Sequence, residues 1–202
     1  MARRRTNPLA LAVLACLTER PMHPYEMAAT MRTRGQDQSI RLNYGSLYGV
    51  VESLLKQGLV EEQGVMREGR RPERTVYRIT DDGRAEIDEW MAELLGRSAK
   101  EFPQFEAGLS LMGVLPPARV VALLRERIAA LQSRLSELDA IVEAATRNGV
   151  PRVFLVEMDY ERAMVDADCA FTEQLAADIE SESLDGVTFW KDVHDTGGEQ
   201  EP

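Results

Sequence analysis

The stretch Asn43-Tyr44-Gly45-Ser46-Leu47-Tyr48-Gly49-Val50-Val51-Glu52-Ser53-Leu54-Leu55-Lys56-Gln57-Gly58 reads as one amphipathic helix, and its neighbours decide the fold. Leu47, Val50, Val51, Leu54 and Leu55 recur at helical spacing and form an inward face. Asn43 suits an N-cap, because its side chain accepts from N–H groups that the first turn leaves unpaired; Gly58 is a stop. Upstream, Asn7-Pro8 opens a helix carrying Leu9, Val13, Leu14 and Leu17, closed by Arg20-Pro21. A second, short helix begins near His23-Pro24, runs through Tyr25, Met27, Ala28 and Met31, and stops near Gly35. Downstream, residues 59–63 and 75–79 are β-type. Between them lies a connection, 64–74, with Arg67, Arg70, Arg71 and Arg74 around Gly69 and Pro72.

Helix, helix, helix, strand, basic loop, strand is the order of a winged helix-turn-helix. Thr80-Asp81-Asp82 then caps a fourth helix through Ile87, Trp90, Met91, Leu94 and Leu95, its acidic residues suited to the positive N-terminal end.

Beyond it the chain reads as all-helical. Glu101-Phe102-Pro103 opens a short helix, about 104–115, which Pro116-Pro117 breaks. Val121, Leu124, Ile128, Leu131, Leu135, Leu138, Val142 and Ala145 follow in alternating steps of three and four, a heptad seam. Asn148-Gly149-Val150-Pro151 is a stop, and a last helix, about 152–183, presents Val156, Tyr160, Ala163, Met164, Ala167, Phe171, Leu175 and Ile179. The Gly-, Glu- and Asp-rich residues from Asp192 onward read as a disordered tail. The expected fold is therefore mainly α with a small β-wing. Its expected domains are a winged helix-turn-helix over 1–96, a helical dimerisation and effector domain over 97–190, and a tail over 191–202.

At 202 residues, 44% hydrophobic and 29% charged, the chain can bury a core and is not disordered as a whole. No apolar run approaches the roughly 18 residues of a membrane span, and the basic start lacks a smooth apolar signal segment, so a cytoplasmic, membrane-free protein is expected. Two cysteines, Cys16 and Cys169, without metal or redox spacing fit a reducing compartment. The net charge of −10 argues at face value against nucleic acid. It is unevenly distributed. Residues 1–80 hold 13 Lys and Arg against 8 Asp and Glu, a net of +5, whereas residues 81–202 hold 11 against 26, a net of −15. A basic head is joined to an acidic body.

A recognition helix enters the major groove N-terminus first, so Asn43, Tyr44, Ser46 and Tyr48 stand where base edges and phosphates would be reached. The plainer reading makes Asn43 a cap only and puts Leu47 and one tyrosine in the core. Arg67, Arg70, Arg71 and Arg74 form a basic wing suited to phosphates, and Arg3-Arg4-Arg5 fits the same footprint. The seam Val121, Leu124, Ile128, Leu131, Leu135, Leu138 and Val142 needs a partner, either the chain's own next helix or a second subunit. Aromatic and Met residues, among them Trp90, Phe105 and Met112, are candidates for lining an effector pocket, or are core.

Four motifs carry a resemblance. Met22-His23-Pro24-Tyr25-Glu26-Met27 resembles the HGYE(L/M) motif of the PadR family of transcriptional regulators, and Asn43-Tyr44-Gly45-Ser46-Leu47-Tyr48 its GxLYxxL recognition-helix motif. Leu54-Leu55-Lys56-Gln57-Gly58-Leu59-Val60 is similar to LExxGLI, and residues 69–84 to the GRxRKYYxLTxxGR wing. The matches span residues 8–95. Pro24 stands where the family usually has Gly, and Gly49 where it commonly has Pro. The resemblance implies a homodimeric repressor on a pseudo-palindromic operator in double-stranded DNA, released by a small-molecule effector. It also implies that Tyr25 joins the DNA-contacting set.

Enzyme readings lack a constellation. His23 and His194 have no ligand-spaced partners, no phosphate-cradling glycine motif is present, and no catalytic residue, metal or cofactor is expected. The alternative to a DNA reader is a protein-interaction module whose head does not read DNA specifically.

Overall fold

The computed structural model describes residues 7–37, 39–66 and 74–196. The basic arm Arg3-Arg4-Arg5 and the wing residues Arg67, Arg70 and Arg71 lie outside the described residues. The chain forms two compact units, Met1–Lys100 and Glu101–Pro202. No helix among the described residues is long and apolar enough to cross a membrane.

In the N-terminal unit, helix α1 (Pro8–Glu19) opens at Asn7, whose side chain accepts from the Leu9 N–H at 3.1 Å. Helix α2 (Pro24–Thr33) starts with a reciprocal cap. His23 Nδ1 accepts from the Tyr25 N–H, while Glu26 accepts from the His23 N–H. Helix α3 (Tyr44–Lys56) starts at Asn43, whose Oδ1 accepts from the Gly45 N–H at 2.9 Å. It ends where Gly58 takes φ +71°, the left-handed turn that lets the chain reverse into the sheet. Strands β1 (Val60–Met66) and β2 (Arg74–Ile79) pair antiparallel, Glu61 facing Arg78. Met22 bonds to Tyr77 in both directions, so the segment before α2 adds a bridge to the outer edge of β2.

One apolar core unites these elements. Leu9, Val13, Leu14 and Leu17 of α1, Met27, Ala28 and Met31 of α2, Leu47, Val51 and Leu54 of α3, and Leu59, Val60 and Ile79 near the sheet are all buried in it. Helix α4 (Asp81–Gly96) begins at Thr80, whose hydroxyl accepts from the Gly83 N–H and donates to the Gly58 carbonyl. There the backbone runs so close to β1 that a Cβ on Gly83 would lie 2.2 Å from the Leu59 carbonyl oxygen.

One boundary differs from the sequence reading. The first strand was expected to end at residue 63, and it continues to Met66. The register shifts between Glu62 and Gly64, a bulge that absorbs one extra residue and lets pairing resume. Arg74 consequently sits in β2 opposite Met66 rather than in the loop.

In the C-terminal unit, α5 (Gln104–Ser110) and a 3-10 turn (Met112–Val114) precede the long α6 (Pro117–Arg147), and a second 3-10 turn (Arg152–Phe154) leads into α7 (Val156–Glu180), which is shorter at both ends than the expected helix over 152–183. Helices α6 and α7 form an antiparallel hairpin. Arg125 meets Glu180, Arg134 meets Glu161, Arg162 meets Asp139 and Arg127 meets Asp168, ion pairs that flank the apolar seam between the two helices.

The α7 face differs from expectation. Ile179 of the expected inward row is buried and Leu175 packs beside it, but the rest of the seam is Cys169, Thr172 and Ala176, whereas Val156, Tyr160, Met164 and Phe171 of that row are exposed. Small residues allow α6 to approach closely, so the bulkier stripe points away from it. The expected tail is also corrected at its start, because α8 (Val187–Thr196) is helical. Val187 is buried against the α6–α7 cluster, the Trp190 indole donates to the Leu115 carbonyl, and His194 bonds to the Gly113 carbonyl. Residues 197–202 lie outside the described part.

Candidate nucleic-acid interface

Three elements meet at the start of α3. The cap leaves Asn43, Tyr44, Gly45 and Ser46 exposed in the first turn, where unpaired N–H groups and the helix dipole favour an anion. Leu47, one position on, is fully buried and anchors the helix. Tyr48 is exposed rather than core, 46% of its surface open, and meets the edge of the His23 ring at 6.2 Å. Asn43 serves as the cap through Oδ1, which leaves its amide nitrogen as a donor.

Tyr25 of α2, 54% exposed, stacks on Tyr44, 40% exposed, with ring centroids 6.1 Å apart and planes 12° from parallel. The Arg74 guanidinium lies 5.7 Å from the Tyr25 centroid. On the far side Arg32 lies 4.6 Å from the Tyr44 centroid and donates to its hydroxyl at 2.5 Å. The order is Arg74, Tyr25, Tyr44, Arg32: two phenols between two cations. Tyr25, Tyr44 and Arg74, each a DNA-contact candidate, are thus brought together on one edge.

Arg32 was not anticipated, because its link to Tyr44 spans two helices and leaves no mark on periodicity. The role of His23 as an α2 cap was also missed. Its imidazole is held below the usual histidine range, first by burial and then by the positive charge of Arg74. The neutral ring this favours keeps Nδ1 able to accept.

The remaining candidates fall elsewhere. Leu124, Ile128 and Leu138 are buried within the single chain, and Val121, Leu131 and Leu135 pack against the α6–α7 cluster. The heptad seam is therefore covered by the chain's own helices. Trp90 is buried on α4 in the N-terminal unit, and Met112 packs against the α6–α7 cluster. Of the three effector candidates, Phe105 lines a groove, a space of about 460 Å³ within the C-terminal unit. Leu109, Met164 and Phe171 share its walls. Arg127 stacks 3.7 Å from the Phe105 centroid and pairs with Asp168, and Phe171 meets Phe105 edge-on. Burial pushes the Cys16 and Cys169 thiols up, away from the reactive thiolate.

Comparison with known proteins agrees with this geometry. Residues 13–89 match the transcriptional regulator PadR-like family. Among solved structures, Bacillus subtilis PadR in complex with operator DNA is similar at TM-score 0.69 and 15% identity, over 85% of this chain and 97% of that one. The same regulator in complex with p-coumaric acid gives TM-score 0.68 at 14% identity, over 84% and 96%. The Vibrio cholerae virulence activator AphA gives 0.64 at 18% identity, over 86% and 99%. No protein of curated function matches the sequence. At these identities the structures establish the fold, and the family match covers residues 13–89. The N-terminal unit of this chain is a winged helix-turn-helix, and within it residues 13–89 match the PadR-like family of transcriptional regulators.

Proposed function

We propose that the chain is a cytoplasmic repressor that binds a pseudo-palindromic operator in double-stranded DNA as a homodimer and is released by a small-molecule effector. One observation carries the reading. The first turn of α3 exposes Asn43, Tyr44, Ser46 and Tyr48 beside Tyr25 and Arg74, donors and aromatic edges gathered on an anion-favouring helix end. By their place in the sequence, Arg67, Arg70 and Arg71 are the wing cations that grip phosphate in this reading.

Dimerisation rests on a different surface from the heptad seam. Val156, Tyr160, Met164 and Phe171 are each more than half exposed on α7, a stripe that a second copy would cover, with Met164 and Phe171 shared between it and the groove beside Phe105. The effector reading rests on the groove beside Phe105. Its aromatic walls and the Arg127 guanidinium suit a flat aromatic molecule. The B. subtilis regulator crystallised with p-coumaric acid gives such a ligand class a precedent within the fold.

The test is a salt titration comparing a duplex enriched from a randomised pool with unselected duplex. The wild-type chain should prefer the enriched duplex. Arg70→Ala with Arg71→Ala should weaken both duplexes alike and reduce the slope of log affinity against log salt by roughly two. An unchanged slope removes the wing from the interface. No preference for any duplex favours the protein-interaction module instead.

A further inference from the structure

We infer that Arg32 is a positioning residue for DNA recognition, fixing Tyr44, and through it Tyr25, at the leading end of the recognition helix. The inference rests on the DNA-binding reading above and adds to it a residue outside the recognition helix and wing. Three observations converge. Arg32 lies over the Tyr44 ring and donates to its hydroxyl, so it constrains the ring by both its face and its tip. Tyr44 is otherwise 40% exposed at the first turn of α3, where a phenol unsupported on one side would sample several rotamers. The neighbouring cations of the same unit are used differently. Arg34 is paired in a two-point fork with Glu19, Arg20 with Glu26, and Arg78 with Glu61. Among the described residues no carboxylate pairs with Arg32, so its charge remains while its direction is set by the phenol.

A guanidinium suits this role because it is planar and keeps its charge at every relevant pH. It can therefore cover a ring and donate to a hydroxyl together. Holding Tyr44 before DNA arrives removes an ordering cost from binding, and that saving applies to the duplex whose edges Tyr44 and its neighbours meet. The result is a gain in selectivity rather than in general attraction to phosphate.

The experiment uses the full chain and the variants Arg32→Ala, Arg32→Lys, Tyr44→Ala and the Arg32→Ala/Tyr44→Ala pair. In the DNA-free protein, carbon–proton spectra of the tyrosine rings should show Tyr44 and Tyr25 signals displaced in Arg32→Ala, and largely restored in Arg32→Lys. On DNA, Arg32→Ala should lower the preference for the enriched duplex over unselected duplex roughly fivefold, the size of an exposed cation–π contact. The salt slope should stay unchanged, and Arg32→Lys should recover part of the loss. In the Tyr44→Ala background, Arg32→Ala should cause no further change.

A slope reduced by about one on Arg32→Ala would make Arg32 a direct phosphate contact and overturn the inference. Equal losses in both backgrounds, or full preference retained, would overturn it as well. Ring signals unmoved by Arg32→Ala defeat the stack without reference to DNA. A wild-type chain without preference for any duplex instead defeats the underlying function while the ring signals still move.

Discussion

In the N-terminal unit the core that α1, α2, α3 and the sheet share is made of large apolar side chains: Leu14, Leu17, Met27, Met31 and Leu47 are almost wholly enclosed. In the helical hairpin of the C-terminal unit the seam of α7 is made of Cys169, Thr172, Ala176 and Ile179, three small or mid-sized side chains and one large one, while Tyr160, Met164 and Phe171 are exposed. The first unit encloses a core of large side chains, gives exposed Tyr25 and Tyr44 cationic neighbours, and leaves open only the far end of α4 at Met91, Leu94 and Leu95 among the large aliphatic side chains described. The second flanks its seam with ion pairs and leaves an apolar stripe uncovered. A self-contained core suits a reading head that must present a fixed edge. An open stripe suits a body that is completed by assembly.

The sharpest way to break this contrast is to charge the stripe. Tyr160→Asp with Met164→Asp should weaken self-association about a hundredfold, as expected for residues central to an interface. Sedimentation or light scattering should then report the mass of a single chain. Because both side chains are exposed, the variant should keep its helical circular dichroism. An unaltered mass would make the stripe ordinary surface.

Next comes the close approach at Gly83. Gly83→Ala forces a methyl against the Leu59 carbonyl oxygen and the Ile79 side chain, and overpacking of this kind costs about 2–3 kcal/mol. Trp90 fluorescence in a Trp190→Phe background follows unfolding of the N-terminal unit alone. A variant as stable as the parent would show that this unit is looser than its burial implies.

The smallest effect expected is that of His23. Its folded pKa is depressed, so the unfolded chain binds its proton more readily. Its stabilising contribution is therefore full above the unfolded value near pH 6.5 and is lost as the pH falls through the lower folded value. Protonation also removes the Nδ1 acceptor that caps α2. His23→Asn keeps an acceptor without a titrating ring, and should flatten this part of the pH dependence in the same fluorescence assay. An unchanged pH profile in that variant would place the proton elsewhere.

The reading head was legible because caps, turns and helical periodicity all agreed. Asn7, Asn43 and Thr80 each cap the helix that follows, and Leu47 is buried between exposed Ser46 and Tyr48. The end of β1 was hidden by the bulge before Gly64, since a change of register leaves no residue pattern of its own. The buried face of α7 was partly misread because a hydrophobic scale ranks Phe171 above Thr172, whereas close helix packing favours the smaller side chain. Helix α8 was obscured by its acidic surroundings, although Trp190 marked a residue able to anchor it. Of the interface, the α3 residues could be read from the chain, while Arg32 needed the distance between two helices.

Thr80 carries one more consequence. A single hydroxyl receives the start of α4 through Gly83 and grips the end of the recognition helix through Gly58. The exit of one helix and the entry of the other therefore share a pivot, and neither can tilt about that point without disturbing the other.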